Sequence, residues 1–360
     1  MALTVAFIGT GRKREKGSLM GYGMAYTHAH ACQQLNDVEL VAAADVVEEN
    51  VAAFADEHDI EETFRDYQTM LTEVQPEAVS ICTWPHLHEQ MVVDCARAGV
   101  KLIYCEKPMA DTIGGSRRMV EVCDEEGAAL NFNHQRRYGR PFQLAKQMLD
   151  DGEIGELVRM EWGGANIYDY GSHNFDMAQY FNDEAWPEWV MAQISYHTED
   201  LWFGAHNEND CVALIAYENG VFGLVATGDA QPAVSCHNRL VGTEGVIDIG
   251  STEEGASVLR YRVWGEGEWQ SVDTDGEGLH ANSFIDRAIE DAVESYRAGE
   301  RAMMDAHYAI RGTEALFACW ESSRQRARVE IPTEAEDNPL EAMVQAGQLQ
   351  PAPAEDQEQF

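Results

Sequence analysis

The first 133 residues alternate between short apolar runs and amphipathic stretches, and no other property of the sequence narrows the fold as far. Leu3 to Ile8, Val38 to Ala44, Ala78 to Cys82, Lys101 to Cys105 and Ala129 to Asn133 are mostly apolar runs of strand length. Between them, Ala25 to Leu35, Val46 to His58, Leu87 to Ala98 and Ile113 to Glu126 read as helices. Strands this short and continuously apolar are buried on both faces, and repeated strand–helix units build a parallel sheet covered by helices.

Past about residue 140 the pattern changes. Phe142 to Asp150 and Asp176 to Phe181 keep helical spacing. Longer alternating runs read as strands: Leu157 to Trp162, Trp189 to Tyr196, Cys211 to Tyr217, Val221 to Gly228, His237 to Gly242, Val246 to Ile249 and Val258 to Trp264. Hairpin turns such as Glu218-Asn219-Gly220 predict a mostly antiparallel sheet. Helices are predicted over Ala281 to Ala298 and Ala306 to Arg324. The expected fold class is α/β: an N-terminal Rossmann dinucleotide-binding domain at 1–135, then a C-terminal α/β domain with a large, mostly antiparallel open sheet at 136–332. A Pro/Ala/Gln/Glu-rich acidic tail at 333–360 is predicted to be mobile.

The chain carries 63 acidic and 25 basic residues, a formal net charge of −38. Such a field repels a phosphate backbone and excludes nucleic acid as a partner. With 45% hydrophobic residues the chain is no disordered polyanion. Acidity spread over the whole length, with only five lysines, predicts a protein of a salty, halophilic cytoplasm. The eight cysteines show no metal-ligand spacing, so no metal site is predicted, and no apolar run is long enough to span a membrane. The expected setting is cytoplasmic, reduced and soluble.

Two constellations carry chemistry. The first strand runs into Gly9-Thr10-Gly11, and after an insertion from Arg12 to Tyr22 the chain continues Gly23-Met24-Ala25. Without the insertion this is a G-x-G-x-x-A fingerprint, whose glycines admit a tight turn and bring backbone N–H groups to a pyrophosphate. Asp45 ends the second strand, where an acid accepts from a ribose 2′-hydroxyl and repels a 2′-phosphate, so NAD is preferred. The basic Arg12-Lys13-Arg14 and Lys16 within the insertion keep NADP open.

The scarce lysine supplies the other signal. Lys107 follows an apolar strand inside Glu106-Lys107-Pro108, where open parallel sheets bind ligands. A rim salt bridge is the plain alternative. Downstream, Asp169 and His173 stand at i, i+4 spacing ahead of Met177-Ala178-Gln179-Tyr180-Phe181. With an early helix start they share a face, with Asp169 or Ser172 as N-cap. A first-turn histidine stays neutral and can act as a base. Asp176 reads equally as a first-turn acid or as a polar site residue.

Taken together these motifs resemble the glucose–fructose oxidoreductase, inositol dehydrogenase and rhizopine-catabolism (Gfo/Idh/MocA) oxidoreductases. The resemblance runs over roughly residues 3 to 332. It rests on Glu106-Lys107-Pro108, on Asp169-x-x-x-His173, and on Ser80-Ile81-Cys82-Thr83 with His88. Thr27-His28, Gly152-Glu153-Ile154-Gly155 and Gly242-Thr243-Glu244-Gly245 also fit. The sequence departs at the insertion and at Trp84-Pro85, where the family usually has Pro-Asn.

The resemblance implies cofactor contacts at Gly9, Gly11, Gly23, Ala25, Asp45, Thr83, Pro85, His88, Glu106 and Lys107. It implies a cis Lys107–Pro108 bond, and a second-domain sheet that binds substrate on one face and pairs subunits on the other, as a homodimer or homotetramer. The implied reaction is NAD(P)-dependent oxidation of a hydroxyl on a sugar or cyclic polyol. His173 is the candidate base, oriented by Asp169, and Lys107 steadies the developing alkoxide. Lys107 is an alternative base if burial lowers its pKa. Asn133, Arg137, Asp169, His173 and Asp176 are the expected substrate-binding residues. A sugar–sugar oxidoreductase or redox-assisted lyase with recycled cofactor, and a non-catalytic dinucleotide-binding regulator, are the competing classes.

Overall fold

The computed structural model describes residues 2–13 and 23–354, so the Arg14–Tyr22 part of the insertion and the last six residues lie outside the described residues. The chain divides into two compact units. The first comprises residues up to Ala110, Gly115–Tyr138 and Asn282–His307; the second comprises Asp111–Gly114, Gly139–Ala281 and Tyr308 onward.

The first unit follows the strand–helix alternation: β1 (Leu3–Ile8), α1 (Met24–Gln33), β2 (Val38–Ala44), α2 (Glu48–His58), β3 (Glu62–Phe64), α3 (Tyr67–Val74), β4 (Ala78–Ile81), α4 (Pro85–Arg97), β5 (Leu102–Cys105), α5 (Ile113–Glu126) and β6 (Ala129–Phe132). The strands pair in the order β3-β2-β1-β4-β5-β6, all parallel. From β1 the chain winds outward to β3, then crosses back to β4. This reversal opens a crevice beyond the C-terminal ends of β1 and β4. Val5, Phe7, Ile81 and Ile103 fill the sheet's interior. The pair β3 and α3 had no counterpart in the sequence reading, because three residues are too few to show a period.

In the second unit come α6 (Arg140–Asp150), β7 (Leu157–Gly164), α7 (Ser172–Phe181), β8 (Pro187–Ser195), β9 (Leu201–Trp202), β10 (Ala205–His206), β11 (Asp210–Tyr217), β12 (Phe222–Thr227), β13 (Cys236–Gly242), β14 (Gly245–Ser251), β15 (Leu259–Val263) and β16 (Gln270–Val272). Then α8 (Asn282–Ala298) returns to the first unit, where Ile285, Ala288, Ile289, Ala292 and Val293 pack with Leu3, Val5, Ala29 and Cys32. The chain closes with α9 (Ala306–Gln325), β17 (Val329–Glu330) and α10 (Pro339–Gln345).

The large sheet runs β16-β15-β14-β13-β7-β12-β11-β8-β17 and is antiparallel except where β12 lies parallel to β7. Its strands alternate, with Val190, Ala213, Ile215 and Val225 buried on one side. On the other side Met191 (54%), Val212 (50%), Leu214 (38%) and Phe222 (40%) are exposed. The same open side carries a ladder of opposite charges. Arg239 grips the fully buried Asp248 with two hydrogen bonds of 2.6 and 3.0 Å, and Arg260 approaches the same carboxylate at 3.2 Å.

Two expectations about organisation need correction. The expected division at 135 is a single cut, whereas the first unit runs to Tyr138 without Asp111–Gly114 and also takes in 282–307, because the apolar stripe of α8 is buried there. Nor is the stretch after 332 a loose tail. Asn338 caps α10 by accepting from the Glu341 N–H at 3.0 Å, and Leu340 and Met343 are buried. Further on, Ala352 pairs with the 197–199 segment through main-chain bonds of 2.8 Å.

Candidate active site

The glycine fingerprint sits at the crevice of the first unit. Gly9 has φ +81°, and a Cβ there would lie 2.4 Å from Thr83 Cγ2 and 3.0 Å from the Cys82 carbonyl oxygen. Only glycine lets the end of β1 meet the end of β4 this closely. Gly11 has φ +60° and, among the described residues, faces open space. Gly23 is the left-handed N-cap of α1, and Ala25 is fully buried, letting the helix lie close to the sheet. Asp45 is held by the same loop: Oδ2 accepts from the Gly11 N–H at 2.9 Å and the Thr10 hydroxyl at 3.1 Å, and Oδ1 from the Val47 N–H at 2.9 Å.

A cleft of about 260 Å³ opens beside these residues. Gly9, Gly11, Asp45, Arg65, Cys82 and Thr83 line it, with Val46, Trp84 and Leu87 as an exposed apolar rim. Open space at glycine, an acid at the end of β2 and flat apolar walls fit a dinucleotide. Arg65 was missed because it follows the unread strand β3; its guanidinium donates to the Val46 carbonyl at 3.2 Å.

Two expected cofactor contacts work behind the cleft. Pro85 is the buried first residue of α4. His88 is fully buried and faces three carbonyl oxygens, Pro108 at 3.0 Å, Met109 at 3.2 Å and Thr83 at 3.1 Å. Burial pulls its pKa down. It braces the turn after β4 against the turn after β5 and does not line the cleft.

Lys107 is half-buried and its bond to Pro108 is cis. Glu106, an expected cofactor contact, is buried and bonded within the first unit. Its Oε1 accepts from Asn133 Nδ2 at 2.7 Å and lies 3.0 Å from His28 Nε2, and its Oε2 accepts the Lys107 main-chain N–H at 3.2 Å. Burial alone would raise the carboxyl's pKa, but His28, Asn133 and Lys107 together hold it below the ordinary range. For His28 burial works downward, while the Cys82 sulfur and the Glu106 carboxylate outweigh it and push the ring up to about 10. Asn133 therefore holds Glu106 from within the first unit. Arg137 belongs to the first unit too, almost fully buried, donating to the Met303 carbonyl at 3.0 Å.

Asp169, His173 and Asp176 belong to the second unit. Helix α7 starts at Ser172 with Gly171 as N-cap, and no side chain caps it. Asp169 thus precedes the helix and does not share a helical face with His173. Gly171 is required there, since a Cβ would come within 2.4 Å of the Asn166 carbonyl oxygen. Asp176 falls in the second turn and is buried, so the first-turn reading fails.

Main-chain N–H groups of the turn before α7 are held by buried side chains. Ile167 N–H donates to Glu208 Oε1 at 2.7 Å, Asp169 N–H to Asn207 Oδ1 at 3.0 Å, and Tyr170 N–H to Asn166 Oδ1 at 2.9 Å. Glu208 also accepts from the Trp320 indole at 3.1 Å and the Thr227 hydroxyl at 3.4 Å. Burial lifts its pKa to about 7 against the pull of these donors. Asn207, Glu208 and Trp320 were not singled out from the sequence: a polar residue in a polar run gives no sign of being buried.

A Rossmann unit with a dinucleotide cleft, followed by an open mixed sheet, defines a two-unit oxidoreductase. Residues 3–134 match the oxidoreductase family with NAD-binding Rossmann fold, and residues 158–248 match the GFO/IDH/MocA C-terminal domain. The chain belongs to the Gfo/Idh/MocA oxidoreductase family. The myo-inositol 2-dehydrogenase of Thermotoga maritima is 25% identical over 297 residues, 77% of this chain and 84% of that one. The inositol 2-dehydrogenase of Pseudomonas fluorescens is 29% identical over 355 residues, 92% of this chain and 98% of that one. An oxidoreductase from Agrobacterium radiobacter, solved with NAD+, L-tartaric acid and magnesium, aligns at TM-score 0.73. That match covers 92% of this chain and 99% of the other at 18% identity, which bears on the fold alone.

Proposed function

We propose that this oxidoreductase oxidises a ring hydroxyl of a cyclic polyol or sugar, with NAD as the hydride acceptor. The observation that carries the reading is the turn Ile167–Tyr170, whose main chain is pinned by buried side chains at Ile167, Asp169 and Tyr170 just ahead of His173 in the first turn of α7. The names of the two inositol dehydrogenases support the substrate class. Gly9, Gly11, Asp45 and Thr83 would hold the dinucleotide, whose nicotinamide supplies the oxidising power when bound. His173 takes the hydroxyl proton on its imidazole, helped by its place in the first turn of α7, where the helix dipole disfavours imidazolium. Asp169 orients the ring and accepts from a substrate hydroxyl. The Lys107 ammonium steadies the oxygen that loses the proton. Asp176, buried one turn on, shapes the polar wall.

The test is steady-state turnover of inositols, aldoses and sugar acids with NAD+, followed at the absorbance of NADH. Lys107→Met and His173→Ala are each expected to lower kcat by about 10²–10⁴-fold. NAD+ affinity should stay near the wild-type value in both. Near-wild-type turnover in both variants refutes the assignment.

The exposed apolar side of the large sheet, Met191, Val212, Leu214 and Phe222, supports a homo-oligomer formed through it. The net charge of −38 supports a working environment of high salt.

A further inference from the structure

We propose that His28 is a positioning residue for this reaction: its ring holds the Glu106 carboxylate turned into the protein, and thereby fixes the main chain that enters Lys107. The inference rests on the reading above of Lys107 as the residue that steadies the substrate oxygen.

His28 sits in the second turn of α1 with no exposure to solvent. Three strand ends converge on its ring. Ser80 Oγ lies 2.9 Å and Cys82 Sγ 3.3 Å from Nδ1, and Glu106 Oε1 lies 3.0 Å from Nε2. Asn133 stands beside Nε2, and the Tyr104 ring meets the imidazole edge-on at 5.0 Å between centroids. The titratable groups facing the ring are therefore Cys82, Tyr104 and Glu106.

The hydrogen-bond pattern fixes a proton on Nε2, and the Cys82 sulfur and Glu106 carboxylate favour a second on Nδ1. The Tyr104 hydroxyl donates to Asn133 Oδ1 at 2.8 Å, so the Asn133 amide group points its NH2 at Glu106. A lone pair on His28 Nε2 would oppose a carboxylate oxygen at 3.0 Å, so that nitrogen carries a hydrogen. Glu106 then receives three donors: His28, Asn133 and the Lys107 main-chain N–H.

Removing the cation would leave a buried carboxylate with weaker compensation, and such a group takes up a proton. A protonated Glu106 must itself donate, and the oxygen that carries the proton becomes a weaker acceptor for the two donors that remain, Asn133 and the Lys107 main-chain N–H. Of these donors the Lys107 N–H is the one that binds Oε2. A histidine that merely fills space in the core would have no such route to Lys107.

The experiment compares His28→Leu, which removes charge and donor, with His28→Gln, which keeps a donor without the charge. Wild type, Glu106→Gln, Lys107→Met and the His28→Leu/Glu106→Gln double variant run beside them. Turnover is read with NAD+ and myo-inositol, NAD+ binding by fluorescence titration, and ring protonation by ¹⁵N-histidine NMR. His28→Leu is expected to lower kcat by roughly tenfold or more while NAD+ binding changes less than about threefold. His28→Gln is expected to gain an acid limb, with kcat falling below neutral pH. The double variant should be no slower than Glu106→Gln alone, because both changes act through one group.

Wild-type kcat and pH profile in either folded His28 variant overturns the proposal, as does a double variant whose loss is the product of the single losses. If His28→Leu does not fold, the pH profile of His28→Gln decides. Full turnover by Lys107→Met would instead overturn the reading of Lys107. The NMR arm needs no substrate: a neutral His28 ring at pH 8 in wild type overturns the ion pair itself.

Discussion

Glu208 offers a quantitative check on the second unit. It has no exposed surface, and its pKa rises from the ordinary 4.5 to about 7, chiefly through burial. Between these two values the folded state binds a proton that the unfolded state has released. Stability from this group is therefore fully present below about pH 4.5 and is lost as pH rises through about 7. The difference corresponds to about 3 kcal/mol. Glu208→Gln removes the titration. It also turns an amide N–H toward the Trp320 indole or the Ile167 N–H, a penalty of about 1–3 kcal/mol that does not vary with pH.

The informative quantity is thus the change in the difference between the two proteins. Urea or thermal unfolding at pH 4.5 and pH 8 should show the variant gaining about 3 kcal/mol on wild type between the two conditions. In melting temperature this is roughly 6–12 °C. Other groups that titrate in the window, His28 among them, are common to both proteins and cancel. Parallel stability curves over this range would refute the assignment of a buried, strained carboxylate at 208.

Asp45→Ala removes the acceptor at the end of β2, and the ratio of kcat/KM for NAD over NADP should fall by about ten- to a hundredfold, the worth of one charge-assisted hydrogen bond. Arg65→Ala should lower residual NADP turnover more than NAD turnover; a ratio unmoved by either change refutes this reading of the cleft. Sedimentation velocity is expected to find an oligomer that Met191→Glu with Val212→Arg reduces to a monomer. A wild-type chain already monomeric would sink the proposed interface. Thermal melting in rising KCl should climb as self-repulsion is screened, and a flat or falling curve rejects the high-salt reading.

Much of the fold was legible because hydrophobic pattern is a property of sequence alone. The continuous apolar runs of β1, β2, β4, β5 and β6 can be satisfied only by a sheet buried on both faces, and that is what formed. Local chemistry was legible too, though not always used. Asp66 caps α3 by accepting from the Gln68 and Thr69 N–H groups, and Asn338-Pro339 opens α10 in the same manner. In the second case the acidic, proline-rich composition outweighed a capping signal that correctly marked order. The return of α8 to the first unit could not be read, since an amphipathic stripe states that it will be buried and not against what.

The site divides along the same line. The turn at Gly9 and Gly11 was legible because its conformation depends on the backbone of a short contiguous segment at the end of β1. The network that joins Glu106 and Asn133 to His28 was not legible, because these partners stand 78 and 105 residues apart in sequence and meet only once α1, β5 and β6 have packed. Glu208 and Trp320 were missed for a related reason: an acid 112 positions from the indole that binds it carries no local mark of burial. Buried polar residues must find partners, so their identity is a sequence property while their meaning belongs to the tertiary structure. The groups that aim Lys107 and Asp169 are of this kind, and their substitution should alter turnover before it alters cofactor binding.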